Sequence, residues 1–337
     1  MHDPVAELCV CPHCRSALER HDKGLGCTTC GRTYPVVEEV PVLLPEYSEE
    51  RERYRLNYER MAEDDLVTPI VQNRFELMHR QLIGFVGNTR GQNILDVGSA
   101  YGSYLCKIEA SHKVAVDLAL PYLRAMALDS EITRVCGDAE ALPVRLSAFD
   151  VVIISDILEH LLEPERLVNL LAVECRDDVR VIVHIPWRES IRHYEQGEYE
   201  FSHLRSFDEY SFRLLFWMFE VRHERDGLPR LDEPVLFRLK SRLPRRLYNE
   251  LVHLYFTTSL SEIEYRYRER WIHELPRRER LLLRFFEPQV KLFELRKRTL
   301  TNRFVRAMVD AWDKRLSAAA ARVPAGQRES GHPVMER

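Results

Sequence analysis

"NILDVGSAYGSYL", residues 93–105, is the stretch that decides the fold. A short apolar run ends at the acid Asp96, and two glycines, Gly98 and Gly102, follow it closely. This order predicts a buried strand, a tight turn and the start of a helix. Strand, turn and helix in this sequence are how a nucleotide-binding site is built.

The turn itself excludes two common phosphate sites. It has no Gly-Lys-Ser/Thr ending, so it is not a P-loop, and Ser99 and Ala100 after Gly98 break the spacing of a dinucleotide fingerprint. Asp96, two residues before that glycine, would repel a pyrophosphate. An acid there suits a ligand with positive charge, such as S-adenosylmethionine with its ammonium and sulfonium groups.

Further apolar runs recur along the chain and are separated by helix-compatible segments. The predicted strands are Ile94–Val97, Val114–Val116, Ile132–Val135, Val151–Ile154 and Val181–Ile185, and a helix is predicted from Pro69 to Val86. Strands that alternate with helices indicate βαβ units and a parallel sheet. The runs are nearly continuous, as expected for strands covered on both faces. The predicted class is therefore α/β.

Two more acids end predicted strands. Asp117 follows Asp96 by 21 residues and closes "VAVD", where a carboxylate can accept from both ribose hydroxyls. Asp138 follows the third strand in "VCGDAEALPV" and is placed to accept from an adenine amino group, with Ala139 packing beside it.

The segment after the fourth strand carries candidate acceptor-side groups. In "FDVVIISDILEHL" the strand ends at Ser155-Asp156, and His160 follows about one turn later. If the acceptor is a hydroxyl, His160 is the best candidate for a general base. The alternative is that His160 caps or packs in a helix. His184 lies in an apolar strand and is interpreted as a core residue.

Together, "ILDVGSAYG", "VAVD", "VCGDAEALPV" and "FDVVIISDILEHL" resemble the class I S-adenosylmethionine-dependent methyltransferases, especially the small-molecule branch with "GDAEALPF…FD" and "LEHL" signatures. The resemblance covers roughly residues 68–240. It implies a doubly wound, mostly parallel, seven-stranded Rossmann-like sheet. The family often has a third glycine in the first loop where this chain has Ala100, a small replacement that the loop tolerates.

The resemblance also implies roles by position. The methionine part of the cofactor would be lined by Asp96, Gly98, Ser99, Ala100 and Gly102, the ribose held by Asp117 with Leu118 beside it, the adenine contacted by Asp138 and Ala139, and the methyl placed above Ser155 and Asp156. The family often places a histidine near the acceptor in the region of His203, and an orienting hydrogen bond within that loop is the alternative. The candidate catalytic residues are thus His160, Asp156 and His203.

Four cysteines near the N-terminus form two Cys-x-x-Cys pairs, Cys11 with Cys14 and Cys27 with Cys30. Two such knuckles supply the four thiolates of a structural Zn²⁺ site. A redox role is the alternative, and two matched pairs argue against it. The surrounding sequence resembles the Trm112-like zinc ribbon. A unit this small would gain folding free energy directly from the metal.

The domain division predicted is a zinc ribbon over 1–45, a charged linker or helix over 46–67, a methyltransferase domain over 68–240 and a helical, basic extension over 241–337 with a frayed end. "FEVRHER" and "PVLFRLK" are predicted to form an edge hairpin, and 241–320 to be entirely helical.

The net charge is −4, but acids dominate up to residue 221 and bases beyond it. The basic part is either a solvated surface or a region that attracts nucleic acid, lipid or the acidic body.

These observations predict a methyltransferase that uses S-adenosylmethionine and a structural Zn²⁺, and acts on a small or medium-sized acceptor such as a secondary metabolite, glycan or lipid precursor. Oxygen is favoured over nitrogen or carbon. No Asn-Pro-Pro-Tyr-like or Pro-Cys segment marks a nucleic-acid base methylase. Two alternatives stay open: an RNA methyltransferase that binds RNA with the ribbon and basic tail, and a cofactor-binding scaffold without catalysis.

No apolar stretch is long enough for a membrane span and no secretory signal is visible, so a cytoplasmic protein is expected. A homodimer or a protein partner through the C-terminal helices is also considered.

Overall fold

The structure is a computed structural model that describes residues 7–22, 24–64, 69–126, 132–188, 203–227, 244, 246–247 and 290–298. Its strands are β1 Leu18–His21, β2 Gly24–Cys27, β3 Thr33–Tyr34, β4 Val36–Val37, β5 Val40–Leu43, β6 Asn93–Val97, β7 His112–Asp117, β8 Ile132–Gly137, β9 Val151–Ser155, β10 Arg180–Pro186, β11 Phe219–Asp226 and β12 Val290–Lys297. Its α-helices are α1 Glu49–Glu63, α2 Pro69–Val86, α3 Leu120–Ala125, α4 Pro164–Glu174 and α5 Glu209–Leu215.

The central sheet has nine strands in the order β11-β12-β10-β9-β6-β7-β8-β5-β4. Strands β5, β8, β7, β6, β9 and β10 run parallel to one another, and β4, β12 and β11 are antiparallel additions at the two edges. All five predicted strands and the helix from Pro69 to Val86 are confirmed. The α/β class and the mostly parallel sheet are confirmed too, although the sheet has nine strands among the described residues rather than seven.

Both faces of the sheet are covered, as the apolar strands required. Leu95 and Val97 of β6 point into one core, which includes Leu171 of α4. Ile94, the residue before Leu95, points into the other core with Leu82 of α2. Side chains of one strand are therefore buried in two cores, one on each face of the sheet, as in a doubly wound fold.

The basic C-terminal segment contributes a strand to this sheet. β12 lies between β10 and β11 and pairs antiparallel with both. The prediction that 241–320 is entirely helical is therefore wrong for Val290–Lys297. The partner predicted for β11, residues 234–240, lies outside the described residues, and so do the boundary at 240 and the expected frayed end. Phe293 and Leu295 of β12 are fully buried, and the strand pairs with the backbone edge of β10; burial and pairing together are the physical reason for the strand.

The N-terminal unit is joined to the sheet in two places. Its three short strands β1, β2 and β3 form a separate antiparallel sheet. The chain then enters the main sheet, because β5 pairs parallel with β8 and Leu43 lies opposite Gly137. Leu18 and Leu25 of the unit are buried in the same core as Leu95. The unit is thus packed as part of the main body, not as a tethered module.

Among the described residues, no helix combines the length and the apolar character that crossing a membrane requires.

Candidate functional site

The first loop turns sharply where the sequence predicted it. Gly98, Ala100 and Gly102 all have positive φ values, of 76°, 42° and 64°. The amides of Gly98 and Ser99 donate to the carbonyl oxygen of Val116 at 2.8 and 3.1 Å, which fixes the loop against β7. A Cβ on Gly98 would come within 2.5 Å of Ile157, so glycine is required there for close approach as well as for φ.

Asp96 is completely buried at the end of β6. The hydroxyl of Tyr104 donates to its Oδ1, and no described residue donates to its buried Oδ2. Burial raises the pKa of Asp96 to about 7, and the charge of Asp117 adds to the rise, while the hydrogen bond from Tyr104 opposes it. A buried carboxylate oxygen without a donor is costly unless a ligand pairs with it, so Asp96 fits a ligand ammonium group.

Asp117 ends β7 and organises the same turn. Its Oδ2 accepts from the amide of Ala100 at 2.8 Å, and its Oδ1 accepts from the amide of Ala119 at 2.9 Å. Burial raises the pKa of Asp117 to about 6, and the backbone amides limit the rise. Each oxygen keeps a lone pair, so the carboxylate can still accept from two vicinal hydroxyls. Leu118 is the next residue on the chain.

Asp138 follows β8, and both its oxygens already accept hydrogen bonds. The Glu140 amide donates to Oδ1 at 2.8 Å, and the hydroxyl of Tyr47 donates to Oδ2 at 2.9 Å. Burial raises the pKa of Asp138. Ala139 is buried beside it. Tyr47, in the charged segment, is therefore a direct neighbour of the predicted adenine contact, and no local sequence pattern indicates this contact between residues 91 positions apart.

Ser155 ends β9, Asp156 follows it, and both lie against His184, which is expected from sequence to be a core residue. His184 Nδ1 lies 2.7 Å from Asp156 Oδ2, and the Ser155 hydroxyl donates to the same oxygen at 3.1 Å. Burial alone would raise the pKa of Asp156, but the charge of His184 and its hydrogen bond lower it below the usual value. His184 is buried as expected, and it also holds the Asp156 carboxylate in one orientation.

His160 and His203 come together at this edge of the sheet. Their ring centroids are 4.6 Å apart and nearly perpendicular. Nε2 of His160 lies 3.9 Å from a carboxylate oxygen of Glu159, which is almost fully buried. The structure thus brings together two of the three candidate catalytic residues, and the charge of His160 also acts on the third, Asp156.

The loop after β9, residues 157–162, is held in place by hydrogen bonds from Leu204 and Arg205. The amide of Leu204 donates to the Glu159 carbonyl oxygen at 2.8 Å. Arg205 donates to the carbonyl oxygens of Leu158, Leu161 and Leu162. Arg205 therefore orders the loop after β9, and it brings the neighbouring His203 to His160.

Helix α1 lies across the site rather than in solvent. Arg51 forms ion pairs with Glu140 and Glu163, at 2.8 Å for the first. The hydroxyl of Tyr54 donates to the His160 carbonyl oxygen at 3.3 Å, and the ring of Tyr58 meets the His160 ring edge at 5.9 Å between centroids. The part of the charged segment that α1 spans, Glu49–Glu63, therefore covers one side of the site.

The four cysteines converge as the spacing predicted. All four Sγ atoms lie within 4.8 Å of one another. Sγ of Cys11 is 3.7 Å from that of Cys30, and Sγ of Cys14 is 3.4 Å from that of Cys27. Sulfurs in a tetrahedral Zn²⁺ site, at 2.3 Å from the ion, lie about 3.8 Å apart. The arrangement fits a structural zinc ion of a zinc ribbon.

Comparison with known proteins gives one family match. Residues 95–177, about a quarter of the chain, match the family described as a methyltransferase domain. No curated protein sequence matches the chain.

Three solved structures are similar at low identity. The first is a complex of the Haloferax volcanii Trm112 methyltransferase activator, at 10% identity and a TM-score of 0.48, covering 72% of this chain and 96% of that chain. The second is the Synechocystis magnesium protoporphyrin IX methyltransferase with bound SAH, at 17% identity and a TM-score of 0.39, covering 54% of this chain and 90% of that chain. The third is a Haemonchus contortus phosphoethanolamine N-methyltransferase, at 15% identity and a TM-score of 0.42, covering 72% of this chain and 57% of that chain. Because these values are low, the class of the protein rests on the family match and on the site.

The matched segment runs from β6 to the turn after α4 and includes Asp96, Asp117, Asp138 and Asp156. The chain therefore carries a methyltransferase domain. This domain lies on the Rossmann-like central sheet.

Proposed function

We propose that the protein transfers a methyl group to a hydroxyl oxygen of a small or medium-sized acceptor, such as a secondary metabolite, glycan or lipid precursor. The observation that carries this proposal is the pair of imidazoles, His160 and His203, at the sheet edge where Asp96, Asp117, Asp138 and Asp156 also lie. Neutral imidazole can take a proton from a hydroxyl near neutral pH, and an amine acceptor would have less need of such a group.

The cofactor would be held by the residues that end β6, β7, β8 and β9. The proposed contacts are Asp96, Gly98, Ser99, Ala100 and Gly102 for the methionine part, Asp117 and Leu118 for the ribose, Asp138 and Ala139 for the adenine, and Ser155 below the methyl. The donorless Oδ2 of Asp96 supports the first of these groups, because it requires a cation or a donor from outside the described residues.

When bound, S-adenosylmethionine supplies a sulfonium-activated methyl group that an oxygen nucleophile can displace in line. The chain's own residues align the acceptor and exclude water. His160 takes the hydroxyl proton, and His203, at a centroid distance of 4.6 Å, orients the ring. Asp156, fixed by His184, carries the negative charge that stabilises the protonated imidazole.

We also propose the domain roles. Residues 1–45 carry a ribbon whose Zn²⁺ is bound by Cys11, Cys14, Cys27 and Cys30, and β4 and β5 in this range join the central sheet. In this division 46–67 covers the site, 68–240 forms the methyltransferase domain, and 241–337 extends it. The contribution of Val290–Lys297 to the sheet supports a structural role for part of that extension. A homodimer or a protein partner remains a proposal for the rest of it.

The test is transfer of a tritiated methyl group. Purified protein is incubated with labelled S-adenosylmethionine and a cell extract, and the products are separated into small-molecule, lipid, RNA and protein fractions. We expect label in the small-molecule or lipid fraction, and loss of label with Asp117→Ala. The matched control is Asp177→Ala, because the Asp177 side chain is 96% exposed at the end of the domain away from the acids.

Label that is found in RNA and lost on nuclease treatment would contradict the proposal and favour the RNA methyltransferase. If no fraction is labelled but the protein binds the cofactor, the scaffold alternative is favoured. Chemical analysis of a labelled product distinguishes an O-methyl ether or ester from an N-methyl or C-methyl group.

A further inference from the structure

One cluster at the acceptor edge combines the donor types of a metal site. Glu159, His160 and His203 each offer one ligand atom, and these atoms lie within 4.8 Å of one another. Two imidazoles and one carboxylate are the three protein ligands of many catalytic zinc sites, which keep a further position open. The set is separate from the four cysteines of the ribbon.

The backbone holds these three donors together before any ion binds. Leu204, the residue after His203, donates its amide to the Glu159 carbonyl oxygen at 2.8 Å. The guanidinium of Arg205 bonds the carbonyl oxygens of Leu158 and Leu162 on either side of the Glu159-His160 pair. A site whose ligands are fixed by such contacts loses little conformational entropy when the ion enters.

Charge also favours a cation at this position. The Glu159 side chain is 2% exposed, and Nε2 of His160 is 3.9 Å from its Oε1, beyond the distance of a strong hydrogen bond. A buried carboxylate is stabilised by a neighbouring cation. Donors at about 2.1 Å from a tetrahedral ion lie about 3.4 Å apart, so closure needs side-chain shifts of about 1 Å.

We propose that Glu159, His160 and His203 bind a divalent first-row metal ion, of which Zn²⁺ is the representative. Imidazole and carboxylate ligands suit this group of ions. The open position would take the acceptor's hydroxyl oxygen and lower its pKa. With the ion bound, His160 is a metal ligand and no longer the base. The O–H bond of the acceptor's hydroxyl then breaks, its proton leaves to water, and the acceptor oxygen keeps the electron pair. This use of the ion rests on the proposed function, whereas binding of the ion does not.

The experiment measures metal binding directly. Full-length protein with its ribbon already loaded with zinc is titrated with Co²⁺, and the visible absorption of N- and O-bound cobalt is followed together with the metal content of the dialysed protein. We expect one further ion per chain. Glu159→Gln and His203→Asn should each weaken its binding by at least about tenfold. His112→Asn, which removes an exposed imidazole at the start of β7, is the matched control and should change nothing.

Three outcomes would overturn the proposal: no ion beyond the ribbon's, binding that survives both Glu159→Gln and His203→Asn, or binding that is lost with His112→Asn. Thermal unfolding without cobalt identifies a variant that fails to fold, and the other variant then decides. Methyl transfer is not the readout, so a failed methyltransferase assay leaves this test intact, and a failed metal titration leaves the methyltransferase proposal standing with His160 as the base.

Discussion

Four carboxylates end four neighbouring strands, yet each is held by different donors. Asp96 has one tyrosine donor, Asp117 has two backbone amides, Asp138 has an amide and a tyrosine, and Asp156 has His184. These differences shift the pKa of each acid separately, and burial raises that of Asp96, which has a single tyrosine donor, to about 7. The residue that would meet the cofactor's ammonium therefore titrates near neutral pH.

The first prediction is that cofactor affinity depends on pH through Asp96. The ionised carboxylate binds a cation and the protonated one does not, so affinity is highest above a pH of about 7 and falls as the pH drops below it. Asp117, with a pKa of about 6, adds to the fall at lower pH. Calorimetric titration with S-adenosylmethionine from about pH 5 to about pH 8 measures this. Asp96→Asn should bind more weakly and lose the dependence near pH 7; an unchanged profile would contradict the assignment.

A second prediction concerns the backbone of the first loop. Ala at Gly98 would meet Ile157, the neighbour of Asp156, whereas Ala at Gly87, with the similar φ of 71°, meets nothing within 4 Å. Both substitutions cost about 1–2 kcal/mol of stability because of positive φ. Gly98→Ala should lower cofactor affinity about tenfold in addition, and Gly87→Ala should leave it unchanged. Unfolding and binding titrations of the pair check this, and equal affinities would show that the loop does not touch the cofactor.

Sequence and structure agree on these residues for a physical reason. An acid at the carboxyl end of a parallel strand is placed by the local pattern alone, so Asp96, Asp117, Asp138 and Asp156 could be located from sequence. His184 could not be identified as the partner of Asp156, because the contact joins two strands and the residue looks like any other inside an apolar run.

At the scale of elements, helix α1 is the feature that sequence could describe but not place. Its charged composition predicts a helix or linker with equal ease. Only the structure shows that Arg51 forms ion pairs with Glu140 and Glu163, and that the Tyr54 hydroxyl donates a hydrogen bond to the His160 carbonyl oxygen. The strand β12 was missed for a similar reason: it lies in a basic, helix-compatible region, and its pairing with β10 is a contact between segments more than a hundred residues apart.

The third prediction is that Arg51→Gln detaches α1 from the site. The Glu140 side chain is 2% exposed and forms an ion pair with Arg51, whose side chain is 21% exposed. Removing the cation leaves a buried carboxylate poorly compensated, so we expect a loss of about 1–3 kcal/mol in unfolding free energy. Chemical denaturation measures it. Arg90→Gln is the control, because Arg90 and Glu109 form an exposed pair whose loss should not be measurable.

If Arg51→Gln and Arg90→Gln unfold alike, α1 does not depend on this ion pair. If Arg51→Gln is less stable but keeps full methyl transfer, the helix supports the fold without covering the reaction.

At the scale of the whole molecule, the ribbon and the sheet form one packed body. Arg15, in the first cysteine knuckle, donates to the carbonyl oxygens of Leu142 and Val144 and pairs with Glu174 of α4. The amide of Val10 donates to the Pro143 carbonyl oxygen at 2.9 Å. These contacts attach the ribbon to the segment that directly follows Asp138. The cysteine spacing predicted the knuckles, but this attachment depends on side chains and carbonyls far apart in sequence.

The fourth prediction is that loss of the metal weakens the whole body. Cys27→Ser should remove the bound zinc and lower the thermal midpoint of the main transition, because Arg15 and β5 lose their support. Cys106→Ser, at an exposed cysteine outside the knuckles, should leave both zinc content and midpoint unchanged. Metal analysis and thermal denaturation check this. A separate low-temperature transition for the ribbon, with the main midpoint unchanged, would contradict the single-body account.

The cofactor site at the carboxyl edge of the sheet is tested most directly by calorimetry, which measures the affinity for S-adenosylmethionine of wild type, Asp117→Asn and Asp177→Asn. Asn keeps one acceptor oxygen but lacks the charge and the second acceptor, and hydrogen bonds to charged groups contribute about 1.5–3 kcal/mol. We expect Asp117→Asn to bind the cofactor about tenfold to a hundredfold more weakly, and Asp177→Asn to bind it like wild type. No binding by wild type, or equal binding by all three proteins, would contradict a cofactor site at the carboxyl edge of the sheet.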